Sequence, residues 1–335
     1  MIDRKLRVGV IGCSTIAENS LLPAINSSKN IELNSIGSRN DEKSKKFADK
    51  FGSKKFGSYE QVIEDNDIDL VYISLPIGLQ EEWVIRAARS GKHILCEKSS
   101  TTSFSSANKM VRVCKENQVR LMEGLMFRFH PQHEKVLEII KNKKLGDVKY
   151  FHGEYGFPMP SENNIRMKPE LGGGVLNDAC CYPICATRIV FDKEPDSVSA
   201  KLYIDKLSQV DTRCQVSLYF DDGKISTMNV GYGMFFRSIY EIWGTQGHLE
   251  LNRAYNVPIN FEPTILLKTE NTEQPTTIEA ANHFEIMLDA FSNEIRNPGV
   301  GKYDLENDLL NQARVLEACR KSHNEQRIVK IDEIT

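Results

Sequence analysis

The chain has 335 residues, of which 40% are hydrophobic and 27% are charged, with a formal net charge of −3. This length exceeds one ordinary hydrophobic core and suits two domains. The small, mixed charge excludes the basic surface typical of nucleic-acid or anionic-membrane binding. No run approaches the roughly 20 apolar residues of a membrane helix, and the opening MIDRKLRVGVIG lacks the pattern of a signal peptide. We therefore expect a cytoplasmic protein without nucleic-acid or membrane partners.

Residues 1–125 alternate between short apolar runs and longer polar stretches with helical periodicity. The apolar runs are RVGVIG, IELNSIG, DLVYISL, KHILCE and VRLMEG. Continuous apolar strands separated by helices are typical of a parallel sheet that is buried on both faces. Because such connections are right-handed, the pattern predicts a doubly wound α/β domain.

Residues 126–335 follow a different pattern. PQHEKVLEIIKN predicts a helix, followed by a loop over 157–174 and a second helix over 175–191. Between 197 and 267, alternating runs separated by DDGK and TQGH predict a mostly antiparallel sheet. Two helices, in ANHFEIMLDAFSNEI and DLLNQARVLEACRKSH, end the chain. We expect an α+β domain with a large antiparallel sheet.

The turn after the first strand carries a dinucleotide-binding pattern. Gly12 makes the tight turn, Ser14 stands where a second glycine is usual, and Ala17 allows close packing of helix and strand. The following helix points its N-terminal amides at a pyrophosphate. A simple tight turn has the same residues, but the strand-turn-helix context favours a Rossmann cofactor site. Its predicted residues are Gly12, Cys13, Ser14, Thr15 and Ile16.

The end of the second strand predicts which nicotinamide cofactor binds. An NAD site places a carboxylate there for the ribose 2′-hydroxyl, but the sequence reads Ile36-Gly37-Ser38-Arg39. Ser38 and Arg39, with Lys43 in the next helix, suit a 2′-phosphate. The alternative is that Ser38 caps a helix and Arg39 is solvated. We predict NADP(H).

Further polar or conformationally special residues follow the later strands. Since ligands of such folds gather at the carboxyl ends of the strands, we assign these residues to the same edge. They are Leu75, Pro76, Gln80, Glu97, Lys98 and Glu123, of which all but Glu123 are predicted cofactor contacts.

A catalytic arrangement is predicted from Lys98 and the segment GGGVLNDACCY. Asp178 and Tyr182 are four residues apart on one face of an otherwise apolar helix, where polar groups need partners. A tyrosine can protonate a developing alkoxide, and the ammonium of Lys98 eases that transfer and stabilises the negative charge. Asp178 would orient substrate hydroxyls or hold Lys98. The alternatives are a solvated Lys98 and a purely structural Asp–Tyr hydrogen bond.

The chain has eight cysteines, three of them close together at Cys180, Cys181 and Cys185. No second Cys/His pair at ligand spacing accompanies this group. We therefore expect buried, reduced thiols and no metal.

These motifs resemble those of the Gfo/Idh/MocA oxidoreductase family over nearly the whole chain. GCSTIA resembles GCGxIA, with Ser14 for Gly, and CEKS resembles CEKP, with Ser99 for Pro. LPIGLQ resembles TPNxxH, with Ile77 for Asn and Gln80 for His, and GGGVLNDACCYP is similar to GGGxLxDxGCYP. The resemblance implies that Lys98 is the catalytic lysine and that Asp178 and Tyr182 form the acid and hydroxyl pair, although many members have His where Tyr182 stands.

The segment RSIYEIWGTQGHLELNRAYNVP resembles nucleotide-linked hexose 3-ketoreductases, which implies reduction of a nucleotide-linked keto-sugar by NADPH. Xylose and trans-dihydrodiol dehydrogenases carry similar motifs, so oxidation of a free sugar or dihydrodiol with NADP stays open, as does a non-catalytic dinucleotide-sensing regulator. Arg128, Arg166 and Arg237 are candidates for phosphate or sugar contacts, or for structural ion pairs. The family also implies a homodimer or homotetramer through the outer face of the antiparallel sheet.

Overall fold

The computed structural model describes residues 4–299, 301 and 304–335. The chain divides into two compact units, Met1–Met126 with Phe284–Leu310, and Phe127–His283 with Asn311–Thr335. The limits expected from the sequence, 1–125 and 126–335, place a single boundary along the chain. In the structure the chain returns to the first unit over residues 284–310, and each unit is therefore built from two segments.

The first unit holds a parallel sheet buried on both faces. Within the described ranges its strands are β1 (Leu6–Ile11), β2 (Ile31–Gly37), β3 (Lys55–Gly57), β4 (Leu70–Ile73), β5 (His93–Glu97) and β6 (Leu121–Gly124). They lie in the order β3-β2-β1-β4-β5-β6, and every pairing is parallel. The order reverses between β1 and β4, which is the position where such sheets open a crevice for ligands. The predicted doubly wound domain is confirmed.

Helices connect these strands, and some of them begin at side-chain caps. They are α1 (Leu22–Ser27), α2 (Asp41–Phe51), α3 (Tyr59–Glu64), α4 (Ile77–Arg89) and α5 (Phe104–Glu116), with a π-helical turn at Ala17–Leu21 before α1. The Asn40 side chain caps α2 by accepting from the Lys43 N–H at 2.8 Å, and Ser58 forms a capping box with Gln61 at α3. These caps satisfy N–H groups that a helix start leaves unpaired.

The second unit is built around a larger sheet. Its helices include α6 (Pro131–Lys141) and α7 (Cys181–Phe191). Its described strands are β7 (Val148–Phe157), β8 (Ser197–Ile204), β9 (Asp211–Tyr219), β10 (Ile225–Tyr232), β11 (Arg237–Gly244), β12 (Gly247–Leu251), β13 (Thr264–Thr269), β14 (Glu273–Thr277) and β15 (Val329–Lys330). They lie in the order β14-β13-β12-β11-β7-β10-β9-β8-β15. Only the β7–β10 pairing is parallel among those described, so the predicted mostly antiparallel sheet is confirmed.

One face of this sheet packs against α7. Phe151 on β7 meets Phe191 of α7 with 6.5 Å between ring centroids, and a Cβ added to Gly153 would lie 2.8 Å from Pro183. Gly153 therefore lets the helix approach the strand closely. The opposite face, termed the outer face here, carries alternate residues such as Tyr150 and Trp243, which are exposed.

The last two helices are α8 (His283–Arg296) and α9 (Leu305–Glu325). Arg120, next to β6, pairs with Glu294 of α8 and with Glu306 of α9, whose carboxylate lies 2.8 Å from the Arg120 Nε. This pairing links α8 and the start of α9 to β6 within the first unit. None of the helices in the described ranges is both long and apolar enough to cross a membrane.

Candidate functional site

The turn after β1 is held between the ends of β2 and β4. Gly12 has a φ of +100°, and a Cβ there would lie 2.2 Å from the Ser74 carbonyl oxygen, so only glycine fits. Its N–H donates to the Gly37 carbonyl at 3.1 Å. The Ser14 hydroxyl lies 2.5 Å from that of Ser74 and accepts from the Ala17 N–H at 3.1 Å. The serine that replaces the usual glycine thus ties the turn to β4.

The three other residues predicted in this turn differ in exposure. Cys13 is 7% exposed, Thr15 is exposed and Ile16 is half-buried. Burial raises the pKa of the Cys13 thiol, while the charge of Lys43 acts in the opposite direction. Cys13 is therefore a protonated thiol at neutral pH.

The end of β2 presents two exposed cations. Ser38 is buried, donates its N–H to the Gly57 carbonyl at 2.9 Å and accepts from the Asn40 N–H at 3.2 Å. Asn40, rather than Ser38, is the cap of α2. Arg39 and Lys43 are exposed on either side of this cap. The cationic groups predicted for a 2′-phosphate therefore face solvent at the carboxyl end of β2.

A buried side chain of the first unit holds the turn after β4 by a hydrogen bond. Leu75 is buried and Pro76 precedes α4 as its cap residue. Gln80, only 1% exposed, donates to the Leu75 carbonyl at 2.9 Å and accepts from the Cys96 thiol at 3.1 Å. The Gln80 amide therefore holds the turn by these hydrogen bonds, and its side chain is shielded from solvent.

Lys98 follows β5 beside two buried carboxylates. Glu97 accepts from the Tyr72 hydroxyl at 2.6 Å and from the Lys98 N–H at 3.3 Å. Burial raises the pKa of Glu97, against the opposing effects of Tyr72 and Lys98. Glu123 accepts from the N–H and the hydroxyl of Ser100. Lys98 is half-buried, at the carboxyl edge of the sheet as predicted.

In the second unit, three glycines lead into a continuous helical segment, in which a π-helical turn at Leu176–Cys180 carries Asp178 and α7 carries Tyr182. A Cβ on Gly174 would lie 2.2 Å from the Asp211 Oδ1 atom. The other oxygen of Asp211 accepts from the Leu176 N–H at 2.6 Å. Asp211 therefore holds the start of this helix, and burial raises the pKa of its carboxyl to about 6.

Arg166, Asp178 and Tyr232 form a hydrogen-bonded cluster in this unit. Arg166 Nε donates to Asp178 Oδ2 at 2.7 Å, and the Tyr232 hydroxyl donates to the same oxygen at 3.2 Å. Tyr182, one helical turn after Asp178, is 4% exposed. Its ring centroid lies 5.6 Å from that of Phe127 and 5.4 Å from that of Tyr155.

The other two predicted arginines are not in this cluster. Arg128 is buried, at 7% exposure, in a turn at Met126–Phe129. Arg237 lies on the outer face of the sheet and pairs with Glu154. Of the three arginines, Arg166 is the one with a described hydrogen bond to Asp178.

Asp211 and Tyr232 were not predicted from the sequence. Tyr232 ends a strand of alternating residues and looks like any buried core tyrosine, and Asp211 begins one. Their contacts with residues 174–178 arise only when the sheet and the helix pack together. Cys180, Cys181 and Cys185 are buried, and within the described part of the chain no group of three or more His, Cys, Asp or Glu is arranged to hold a metal.

Comparison with known proteins identifies the family. Residues 6–125 match the model of the oxidoreductase family with an NAD-binding Rossmann fold, GFO_IDH_MocA, and residues 133–250 match the GFO/IDH/MocA C-terminal domain. The chain is 30% identical to a dTDP-3,4-didehydro-2,6-dideoxy-alpha-D-glucose 3-reductase of Actinomadura kijaniata, over 94% of this chain and 95% of that protein. It is also 30% identical to D-xylose 1-dehydrogenase (NADP(+)) 2 of Haloferax volcanii, over 97% and 99%.

A solved structure is similar over the same length. The crystal structure of a 3-ketoreductase from Actinomadura kijaniata, in complex with NADP and TDP-benzene, matches with a TM-score of 0.91 and 30% identity, covering 95% of this chain and 98% of that one. Variants of that enzyme at one lysine and one tyrosine were also crystallised, and that lysine precedes that tyrosine by the same number of residues as Lys98 precedes Tyr182. The chain therefore belongs to the Gfo/Idh/MocA oxidoreductase family.

Proposed function

We propose that this chain is an NADP(H)-dependent oxidoreductase that transfers a hydride between the nicotinamide and a keto group of a sugar, and that its substrate is a nucleotide-linked keto-deoxysugar. The observation that carries the proposal is the spacing along the chain of Lys98, which follows β5, and Tyr182, which lies in α7. Their spacing is the one found in the 3-ketoreductase that binds NADP and TDP-benzene.

The residues after β1 and β2 fit NADP(H). At Gly12 a side chain would collide with the Ser74 carbonyl, so glycine is required for the tight turn of the dinucleotide-binding pattern. The exposed Arg39 and Lys43, with the buried Ser38, supply charge and hydrogen bonds for a 2′-phosphate. When bound, NADPH supplies the hydride.

Lys98 and Tyr182 act on the oxygen of the reacting carbonyl. The Tyr182 hydroxyl gives a proton to this oxygen as negative charge develops on it. The Lys98 ammonium stabilises that charge and eases release of the phenolic proton. Asp178, held by Arg166 at 2.7 Å, orients the sugar hydroxyls.

Arg166 provides the contact for the nucleotide part of the substrate. Its Nε donates to Asp178, and its side chain is 40% exposed. A guanidinium with free planar donors suits a diphosphate. Buried Arg128 is a secondary candidate, whereas Arg237 is used on the outer face.

Oxidation of a free sugar or a trans-dihydrodiol with NADP is the second candidate function. The relative from Haloferax volcanii, D-xylose 1-dehydrogenase (NADP(+)) 2, matches this chain over nearly its full length and supports this alternative. The two functions differ in the need for a nucleotide handle. We expect NADPH oxidation with a thymidine-diphosphate-linked keto-deoxysugar, and no NADP reduction with free xylose at comparable concentration. The reverse result would favour the dehydrogenase.

The outer face of the large sheet suits contact with a second copy of the chain in a cytoplasmic homodimer or homotetramer. Trp243 is 62% exposed and packs against Tyr150, with 5.7 Å between the ring centroids. Phe235 is 91% exposed and lines a groove of about 500 Å³. Light scattering should find a dimer or tetramer that Trp243→Glu shifts to smaller species. A monomeric wild type would refute this assembly.

A further inference from the structure

The proposed function gives no role to Tyr232, although its phenol lies at the Asp178 carboxylate. Tyr232 is the last residue of β10 and is 2% exposed. It is paired in the sheet with Phe157, and the two ring centroids are 5.2 Å apart. This packing fixes the ring, so the position of the hydroxyl is fixed as well.

Asp178 Oδ2 accepts hydrogen bonds from two separate elements. The Tyr232 hydroxyl approaches from the sheet at 3.2 Å, and Arg166 Nε approaches from the turn Ile165–Met167 at 2.7 Å. An ion pair alone leaves a carboxylate free to rotate about its terminal torsion, which is broad. A second donor that reaches the same oxygen from another element restricts this rotation.

We propose that Tyr232 is a positioning residue for the reaction, whose phenol keeps the Asp178 carboxylate ionised and in a single orientation. This inference rests on the proposed function, in which Asp178 orients the hydroxyls of the sugar. Tyr232 acts through Asp178 and has no contact with substrate in this account.

The electrostatic surroundings keep the Tyr232 phenol a donor. Burial raises the pKa of Tyr232 far above its ordinary value, and the neighbouring Asp178 carboxylate raises it further. The other charges that act on the phenol are Arg166, which opposes the shift, and Asp211 from β9; Tyr182 of α7 acts on Arg166. Since a donated hydrogen bond stabilises a carboxylate anion, loss of the hydroxyl should make Asp178 easier to protonate.

Tyr232→Phe tests the inference because it keeps the ring and its packing on Phe157. The matched control is Tyr240→Phe, which removes a buried phenol of β11 that bonds His133 Nδ1 at 2.9 Å. Circular dichroism and thermal unfolding establish that both variants are folded. We expect kcat of Tyr232→Phe to fall about tenfold with KM for NADPH within about twofold of wild type. The acid limb of its pH–kcat profile should move up by roughly one pH unit. In Tyr240→Phe these values should match wild type.

A second readout does not depend on turnover. In protein labelled with ¹³C at the aspartate carboxyl carbons, Asp178→Asn assigns the Asp178 resonance, and its titration midpoint should be higher in Tyr232→Phe than in Tyr240→Phe. The inference is overturned if Tyr232→Phe equals Tyr240→Phe in both the carbon titration and, for an active wild type, the pH–kcat profile. The titration midpoint of Asp178 could move in Tyr232→Phe while the wild type is inactive on the nucleotide sugar. That result would support the action of Tyr232 on Asp178 and refute the proposed substrate.

Discussion

Arg166 Nε lies 2.7 Å from Asp178 Oδ2, so the ion pair at the candidate site joins a turn of the 157–174 loop to the helix that carries Tyr182. Asp178 is largely shielded, with 13% of its side chain exposed, whereas 40% of the Arg166 side chain is exposed. The carboxylate thus anchors an arginine whose side chain is partly exposed.

Replacing Arg166 should weaken both the anchor and the contact with the nucleotide. We expect Arg166→Met to lower kcat/KM for a nucleotide-linked keto-sugar by about 10- to 100-fold, because a hydrogen bond to a charged group contributes about 1.5–3 kcal/mol. Steady-state kinetics with the sugar varied at saturating NADPH measures this. Arg237→Met, which removes an arginine paired with Glu154 on the outer face, is the control and should leave kcat/KM unchanged. Equal losses in both variants would show that Arg166 has no particular role.

The preference for NADP(H) should depend on the cation after β2. Arg39→Ala is expected to reduce NADPH affinity by about 1.5–3 kcal/mol, the contribution of a charged contact to phosphate, while NADH affinity changes little. Titration of cofactor fluorescence gives both constants without any sugar. Lys45→Ala removes an exposed cation from the same region and serves as the control. A wild type that binds NADH more tightly than NADPH would rule out this assignment.

Three buried histidines make the second unit sensitive to acid. Burial lowers the pKa of His130 to about 4 and the pKa values of His133 and His283 to about 3, from an ordinary value of 6.5. The unfolded chain therefore binds more protons below about pH 6.5. Their contribution to the free energy of unfolding is complete above that pH and is lost progressively as the pH falls toward about 4 and then 3.

His130→Asn isolates this effect. His130 accepts from the Gln132 N–H at the start of α6, and asparagine can keep that cap. Between about pH 7.5 and about pH 5, the free energy of unfolding should fall by about 1–2 kcal/mol less in this variant than in wild type. Urea denaturation at both pH values measures the difference. The control is His152→Asn, at a partly exposed position on the outer face. Its free energy of unfolding should fall by as much as that of wild type over the same pH range. Parallel pH dependence for His130→Asn and wild type would contradict the account.

Much of the fold follows from local sequence. Strands buried on both faces are continuous apolar runs, so β1, β2, β4, β5 and β6 were predictable, and Gly12 marks a turn that excludes a side chain. The missed β7, VKYFHGEYGF, alternates imperfectly because two glycines and an exposed Lys149-Tyr150 pair interrupt it. Yet β7 lies in the middle of the sheet, between β10 and β11. Both partners are distant in sequence, so no local pattern indicates this position.

The residues of the candidate site could be predicted from the sequence where they lie in, or directly after, a single helix or strand. Asp178 and Tyr182 share a helix, and Lys98 directly follows a strand, so spacing alone indicated them. Tyr232 and Asp211 reach that helix from separate strands, and Gln80 turns inward because Leu75 and Cys96 provide its partners. Such contacts depend on tertiary packing, which no local pattern encodes.

The most direct test of the central claim is the turnover of NADPH with a thymidine-diphosphate-linked keto-deoxysugar by wild type and by the Lys98→Met/Tyr182→Phe double variant, with NADPH binding measured on the same samples. We expect an active wild type, and a double variant that binds NADPH but has lost about 1,000-fold or more in kcat, since proton transfer and stabilisation of the alkoxide are both removed. A double variant that keeps kcat within about tenfold of wild type would contradict the account.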